Sequence, residues 1–205
     1  METAYLTVKG QGTAEYTDRR SRFIGTVCPV TTEEEALAFI AAKKKEYWDA
    51  RHNVYAYVLR QGGISRFSDD NEPQGTAGMP VLDVLQKQGL TDCVVVVTRY
   101  FGGVLLGTGG LVRAYSQSTA MAVAAAGVVQ RRLCAYGNIV CDYAQYGWLG
   151  SFVPEHGGRV DDAVFTDTVT LTLHLPVEEA GVFENALTDR SGGTLHFSVF
   201  EEKFD

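Results

Sequence analysis

Residues 93–110 read CVVVVTRYFGGVLLGTGG and run directly into LVRAYSQSTAMAVAAA, residues 111–126; the fold turns on this stretch. The opening apolar run, residues 93–98, predicts a strand buried on both faces. Residues 99–110 read as a glycine-rich loop, and residues 111–126 as a helix with Ala or Ser at positions 114, 118, 122 and 125. Small residues at that spacing let a sheet approach closely, and Gly127 supplies the C-terminal cap. A strand passing through glycines into a helix start presents free backbone amides and a positive dipole end, which suits a phosphate or a carboxylate. The common nucleotide fingerprints do not fit, because Val112 stands where the third glycine of G-x-G-x-x-G belongs and no Gly-Lys-Ser/Thr follows.

On the N-terminal side, strands are expected at residues 4–9 and 23–28, joined by a basic turn holding Arg19, Arg20 and Arg22. Thr32 and Glu35 have capping-box spacing and open a helix over residues 33–48, acidic at its start and with Lys43, Lys44 and Lys45 near its end. His52 and Asn53 lead into a strand over residues 54–60. Residues 68–79, SDDNEPQGTAGM, have no apolar period and read as a long loop, and Pro80 then starts a helix reaching Gly89.

After Arg131 and Arg132 the pattern restarts. Strands at 133–143, 159–165, 168–175 and 194–200 alternate with helices at 145–153 and 177–188, the βαββαβ order of a split-βαβ, ferredoxin-like domain. The expected boundary lies near residues 129–134, dividing the chain into domains 1–131 and 132–205. The charge divides there too. Residues 1–133 hold 15 basic and 13 acidic side chains, residues 134–205 hold 3 and 12, and the whole chain of 205 residues carries a net −7. Nucleic-acid contact needs clustered Lys and Arg, so only the first domain suits it.

Composition is that of an ordinary globular protein, 45% apolar and 21% charged. No run approaches the roughly 18 apolar residues of a membrane span and no secretory h-region is seen, so a cytoplasmic protein with no membrane contact is expected. The four cysteines make no C-x-x-C pair and read as reduced thiols.

Two clusters offer chemistry. Arg99, Tyr100, Phe101, Gly102 and Gly103, with Gly107, Gly109, Gly110 and Arg113, combine guanidinium, stacking aromatics and exposed amides, a set suited to a phosphodiester or a base. Asp69, Asp70 and Glu72, with His52 and Asn53 near them, are residue types that hold a hard cation, act as general acid and base, or simply shape a loop. The expectation is the last, with one carboxylate pairing Arg99. No residue is expected to be catalytic, and no metal or cofactor is expected.

His52-Asn53, the run Phe67 to Pro73 with Gly75-Thr76-Ala77-Gly78, and Arg99-Tyr100-Phe101-Gly102-Gly103 followed by Leu106-Gly107-Thr108-Gly109-Gly110-Leu111 resemble, in that order, the YigZ/IMPACT family. Asn71 stands where the family commonly has Gly, and Phe101 where a second Tyr is also seen. The resemblance implies an α+β chain of two domains. The first would be similar to the second domain of a small-subunit ribosomal protein and the fourth domain of elongation factor G, the second ferredoxin-like. Eukaryotic relatives act in translational control through a different appended domain. By fold analogy the implied partner is RNA or the ribosome, bound by the first domain. The alternative is a phosphate-handling or metal-assisted enzyme, resembling small-molecule kinases or hydrolases, that uses the glycine-rich and acidic loops. The oligomeric state is not legible.

Overall fold

The computed structural model describes residues 3–205. The chain forms two compact units, Tyr5–Gln130, and Arg131–Asp205 joined by the N-terminal residues through Ala4. In chain order the elements are β1 (Ala4–Val8), β2 (Gly12–Asp18), β3 (Ser21–Pro29), α1 (Glu33–Glu46), β4 (His52–Leu59), β5 (Ile64–Ser68), α2 (Gly78–Lys87), β6 (Cys93–Tyr100) and α3 (Gly107–Ala126). There follow β7 (Val128–Cys141), α4 (Tyr143–Glu155), β8 (Arg159–Phe165), β9 (Val169–Pro176), α5 (Val177–Ser191) and β10 (Ser198–Phe204). This is a mixed α+β architecture.

In the first unit an antiparallel sheet has the order β2-β3-β6-β4-β5, with the valine run at its centre. Successive side chains of a strand point to opposite faces. Cys93, Val95 and Val97 therefore pack with Leu82 and Leu85 of α2 and Ala114, Tyr115 and Ala122 of α3. Val94 and Val96 meet Tyr57, Leu59 and the Ala36 and Ile40 side of α1. The strand is buried on both faces, as its composition predicts. At its start α1 has the full capping box, Thr32 Oγ1 accepting from the Glu35 amide and Glu35 accepting from the Thr32 amide.

The small stripe of α3 faces β2 and β3. A Cβ at Gly25 would lie 2.6 Å from the Ser118 carbonyl oxygen and 3.2 Å from the Ala122 methyl, so glycine is what permits this approach. Ala125, expected on the same stripe, is exposed.

Three expectations need correction in this unit. The basic turn joins β3 not to β1 but to β2, a strand whose sequence GTAEYTD has too few apolar residues to show itself. Arg19 and Arg20 hold φ of 44° and 70° in that turn, the left-handed pair of a two-residue hairpin. Strand β5 was hidden for the same reason as β2, and α3 begins at Gly107, so Gly107, Gly109 and Gly110 form its first turn rather than a loop.

The second unit follows the βαββαβ order as β7-α4-β8-β9-α5-β10, with antiparallel neighbours β10-β7-β9-β8. Ile139, Leu171, Leu173 and Leu175 form its core with Leu149 and Phe152 of α4 and Phe183 and Leu187 of α5. Asp142 and Gln145 make a second capping box at α4. Residues 129–134 are not an irregular linker; they belong to β7, which runs unbroken from Val128. The last strand starts four residues later than expected, because residues 194–197 are tied to α5. There the Thr194 hydroxyl donates to the Ser191 carbonyl, the Leu195 amide to Ser191 Oγ and the Phe197 amide to Glu184.

Candidate functional site

Sheet register brings the two sequence clusters together. Arg99 on β6 lies directly opposite Phe23 on β3 and His52 on β4, so these three side chains share one face at the strand ends. Tyr100, one residue on, projects to the other face, where its hydroxyl donates to Asp49 at 2.8 Å and the Arg22 guanidinium lies 5.8 Å from its ring.

The acidic loop is held by its own carboxylates. Asp69 accepts from the amides of Gly75, Ala77 and Gly78 and so satisfies the start of α2. Asp70 accepts from the Asn53 amide at 2.6 Å and from Lys44 at 2.9 Å. These bonds hold Asp70 and Asn71 at φ of 41° and 68°, a conformation unfavourable for residues with side chains. The turn delivers Glu72 to Arg99: Nη1 donates to Oε1 at 2.6 Å, with the two side chains 6% and 4% exposed. The Tyr115 hydroxyl of α3 donates to the same oxygen at 2.7 Å. Burial first, and then the Glu72 charge and hydrogen bond, push the Tyr115 phenol far above its ordinary range. His52 completes the group. Its Nδ1 lies 2.9 Å from the Asp70 carbonyl oxygen, which can only accept, so that nitrogen carries a proton. Its Nε2 lies 3.9 Å from Glu72.

Above this cluster is a cavity of about 370 Å³. Its polar wall includes Arg51, His52, Asn71, Glu72 and Arg99, its apolar wall Pro73, Phe101, Leu105, Leu106 and Leu111, and Gly107 and Thr108 at the start of α3 complete it. Leu106, the N-cap residue, gives α3 no side-chain acceptor, so the first amides of the helix are uncapped there.

Of the residues expected from sequence, Arg99, Phe101, Gly107, His52 and Glu72 line this cavity. Tyr100 does not. Gly102 packs against the β2–β3 turn, where a Cβ would lie 2.0 Å from the Arg20 carbonyl carbon, and its amide donates to Ser21 Oγ. Gly103 turns the loop at φ 82°. Gly109 and Gly110 sit inside the first turn of α3 and are not in the wall. Arg113 is exposed and folds back along α3, its Nη1 3.8 Å from where a Gly109 side chain would begin. Asn53 and Asp69 act inside the scaffold, Asn53 accepting from the Thr98 hydroxyl at 2.7 Å.

Arg99 lies in the cavity wall already paired. Its guanidinium is buried and neutralised by Glu72, and it is flanked by the Phe23 and Phe101 rings at 5.4 and 5.5 Å. Arg51 is an exposed cation of the cavity wall, Arg113 is exposed one turn into α3, and Arg19, Arg20 and Arg22 are exposed at the β2–β3 turn against which Gly102 packs. Sequence reading missed Arg51, although it directly precedes the His52-Asn53 pair, and missed Tyr115 and Ser21 because both act across long chain separations.

The fold and site define a two-domain α+β protein with a ligand-sized cavity in the first domain. Residues 19–123 match the Impact N-terminal domain, and residues 139–194 match a domain of unknown function, DUF1949. The chain is 38% identical over 191 residues to the IMPACT family member YvyE of Bacillus subtilis, covering 93% of this chain and 88% of that one. It is 34% identical over 187 residues to the IMPACT family member YigZ of Escherichia coli, covering 90% and 92%. The bovine Protein IMPACT is 36% identical over 95 residues, which is 44% of this chain and 30% of the bovine one. A solved structure described as "Crystal structure of an hypothetical protein" superposes with a TM-score of 0.63 at 31% identity, covering 99% of this chain and 100% of that chain. The chain belongs to the IMPACT family. Among the described residues no helix is long and apolar enough to cross a membrane.

Proposed function

We propose that the protein is a cytoplasmic, translation-associated regulator that binds single-stranded RNA, free or on the ribosome, through the Tyr5–Gln130 unit. One observation carries this reading: a cavity of about 370 Å³ in which a half-exposed aromatic, Phe101, stands beside an uncapped helix start and the exposed Arg51. Aromatic platforms beside cations suit single strands, whose bases are free to stack, and a helix start suits their phosphates. The second unit, with 3 basic and 12 acidic residues beyond position 133, repels RNA and leaves the first as the binding half.

The test is anisotropy of a labelled single-stranded RNA titrated with the full chain at several salt concentrations. Arg51→Ala and Arg113→Ala are each expected to weaken binding and to flatten the salt slope by about 0.7, without changing stability. Absence of affinity at low ionic strength refutes the reading. A small-molecule enzyme is the second reading, favoured by His52 Nε2 standing 3.9 Å from Glu72 in the cavity wall. Its metal-assisted form is disfavoured, since Asp69 and Asp70 are taken up by amides and Lys44, and Glu72 by Arg99 and Tyr115.

A further inference from the structure

We propose that the cavity is a pocket for a single nucleotide, taking one unstacked base that bears an exocyclic amino group together with its phosphate. The source of that nucleotide, a strand or the free monophosphate, rests on the RNA reading above; the pocket does not. Its volume of about 370 Å³ lies at the lower end of small-molecule sites, which run from roughly 300 to 1,000 Å³. That space is enough for one base.

The lining is divided in the way such a ligand requires. Phe101 is 43% exposed and Leu105 81% exposed, apolar surface that stays in water until something planar covers it. The Phe101 ring is also held in place. Arg99 lies 5.5 Å from its centroid and is itself fixed by Glu72, so the ring is a prepared stacking platform. The same cavity is lined by Gly107 and Thr108 at the uncapped start of α3 and by Arg51, groups that attract an anion of phosphate size. Arg99 does not compete for that anion, because Glu72 neutralises it.

The polar wall sets the choice of base. The Asp70 carbonyl fixes a proton on His52 Nδ1 and so fixes the ring, with Nε2 turned toward Glu72 in the cavity wall. Glu72 beside it is an acceptor, and the bonds from Arg99 and Tyr115 both go to its Oε1. A carboxylate in the wall favours a base edge that donates. Cytosine donates from its 4-amino group where uracil turns a carbonyl, so cytidine phosphates are preferred to uridine phosphates by about tenfold.

Calorimetric titration of the full chain with CMP, UMP, cytidine and inorganic phosphate tests this, alongside labelled oligo-C and oligo-U RNA. CMP is expected to bind about tenfold more tightly than UMP, and more tightly than cytidine or phosphate alone. Phe101→Ala, a change at an exposed ring, is expected to weaken CMP or oligo-C binding at least about fivefold. Arg51→Ala is expected to bring CMP down towards cytidine. Binding of CMP without any RNA affinity upholds the pocket and sinks the RNA reading. RNA binding that depends on Phe101, without CMP binding, upholds the pocket with a strand as its source. RNA binding that is indifferent to Phe101→Ala overturns the pocket and leaves the RNA reading standing. Equal affinity for CMP and UMP, or phosphate matching CMP, overturns the base recognition.

Discussion

Glu72→Ala is the change with the largest calculable consequence. The carboxylate is 4% exposed and its partner guanidinium 6%, so its removal leaves a cation buried with little compensation. Arg99 Nε already has no hydrogen-bond partner, and Nη2 reaches Ser21 Oγ only at 3.4 Å. Tyr115, fully buried, loses its acceptor at the same time. Breaking a buried pair from one side costs about 3–5 kcal/mol, a large share of a typical stability of about 5–15 kcal/mol. The expected loss is about 4 kcal/mol, measured by urea unfolding of the full chain, with hydrogen exchange of the β6 amides locating it in the first unit. Replacing both partners removes the uncompensated charge and keeps an apolar side chain between Phe23 and Phe101. Glu72→Leu with Arg99→Met is therefore expected to recover part of the loss, the remainder being the buried Tyr115 hydroxyl left without its acceptor. A cost below about 1 kcal/mol for Glu72→Ala, or a double variant worse than the sum of the singles, refutes the assignment of the pair as the fixed point of the site.

Gly25→Ala places a methyl 2.6 Å from the Ser118 carbonyl oxygen and 3.2 Å from Ala122, and overpacking of this kind costs about 1–3 kcal/mol, read as a shift in the urea midpoint. The Tyr57 phenol is pushed up to about 12 by burial and by its hydrogen bond to Glu33. Since the unfolded phenol titrates near 10, folding holds a proton that the unfolded chain releases. That contribution is complete below pH 10 and is lost as pH rises to about 12, so unfolding free energies of Tyr57→Phe fall less steeply across this window than those of the native chain.

Periodicity and capping made much of the fold legible. The valine run and the Thr32–Glu35 box each carry a local signal that packing does not override. What stayed hidden was either weakly apolar or long-range. Strands β2 and β5 are pinned by their partners in the sheet rather than by their own composition. In the site, the three family motifs mark the residues, while their roles depend on which face each occupies. Alternation along β6 sends Arg99 into the cavity wall and Tyr100 to Asp49, although the two are neighbours in a single motif. A carboxylate for Arg99 is predictable; that Glu72, rather than Asp69 or Asp70, supplies it follows from the left-handed turn at Asp70 and Asn71.

The buried pair also determines what kind of binding force remains. A free arginine beside two aromatics would add a phosphate contact, but Glu72 cancels the charge of Arg99, which leaves Arg51 as the exposed cation of the cavity wall and Arg113 exposed one turn into α3. Two contacts to a single strand give a salt slope of only about −1.4, too little for the electrostatic term to dominate. Affinity must then come from stacking on Phe101 and from hydrogen bonds inside the cavity, terms that a duplex with paired, stacked bases cannot satisfy. The ion pair thus trades general attraction for a rigid platform. It follows that discrimination between single and double strands should persist at high salt, where charge-driven binding disappears.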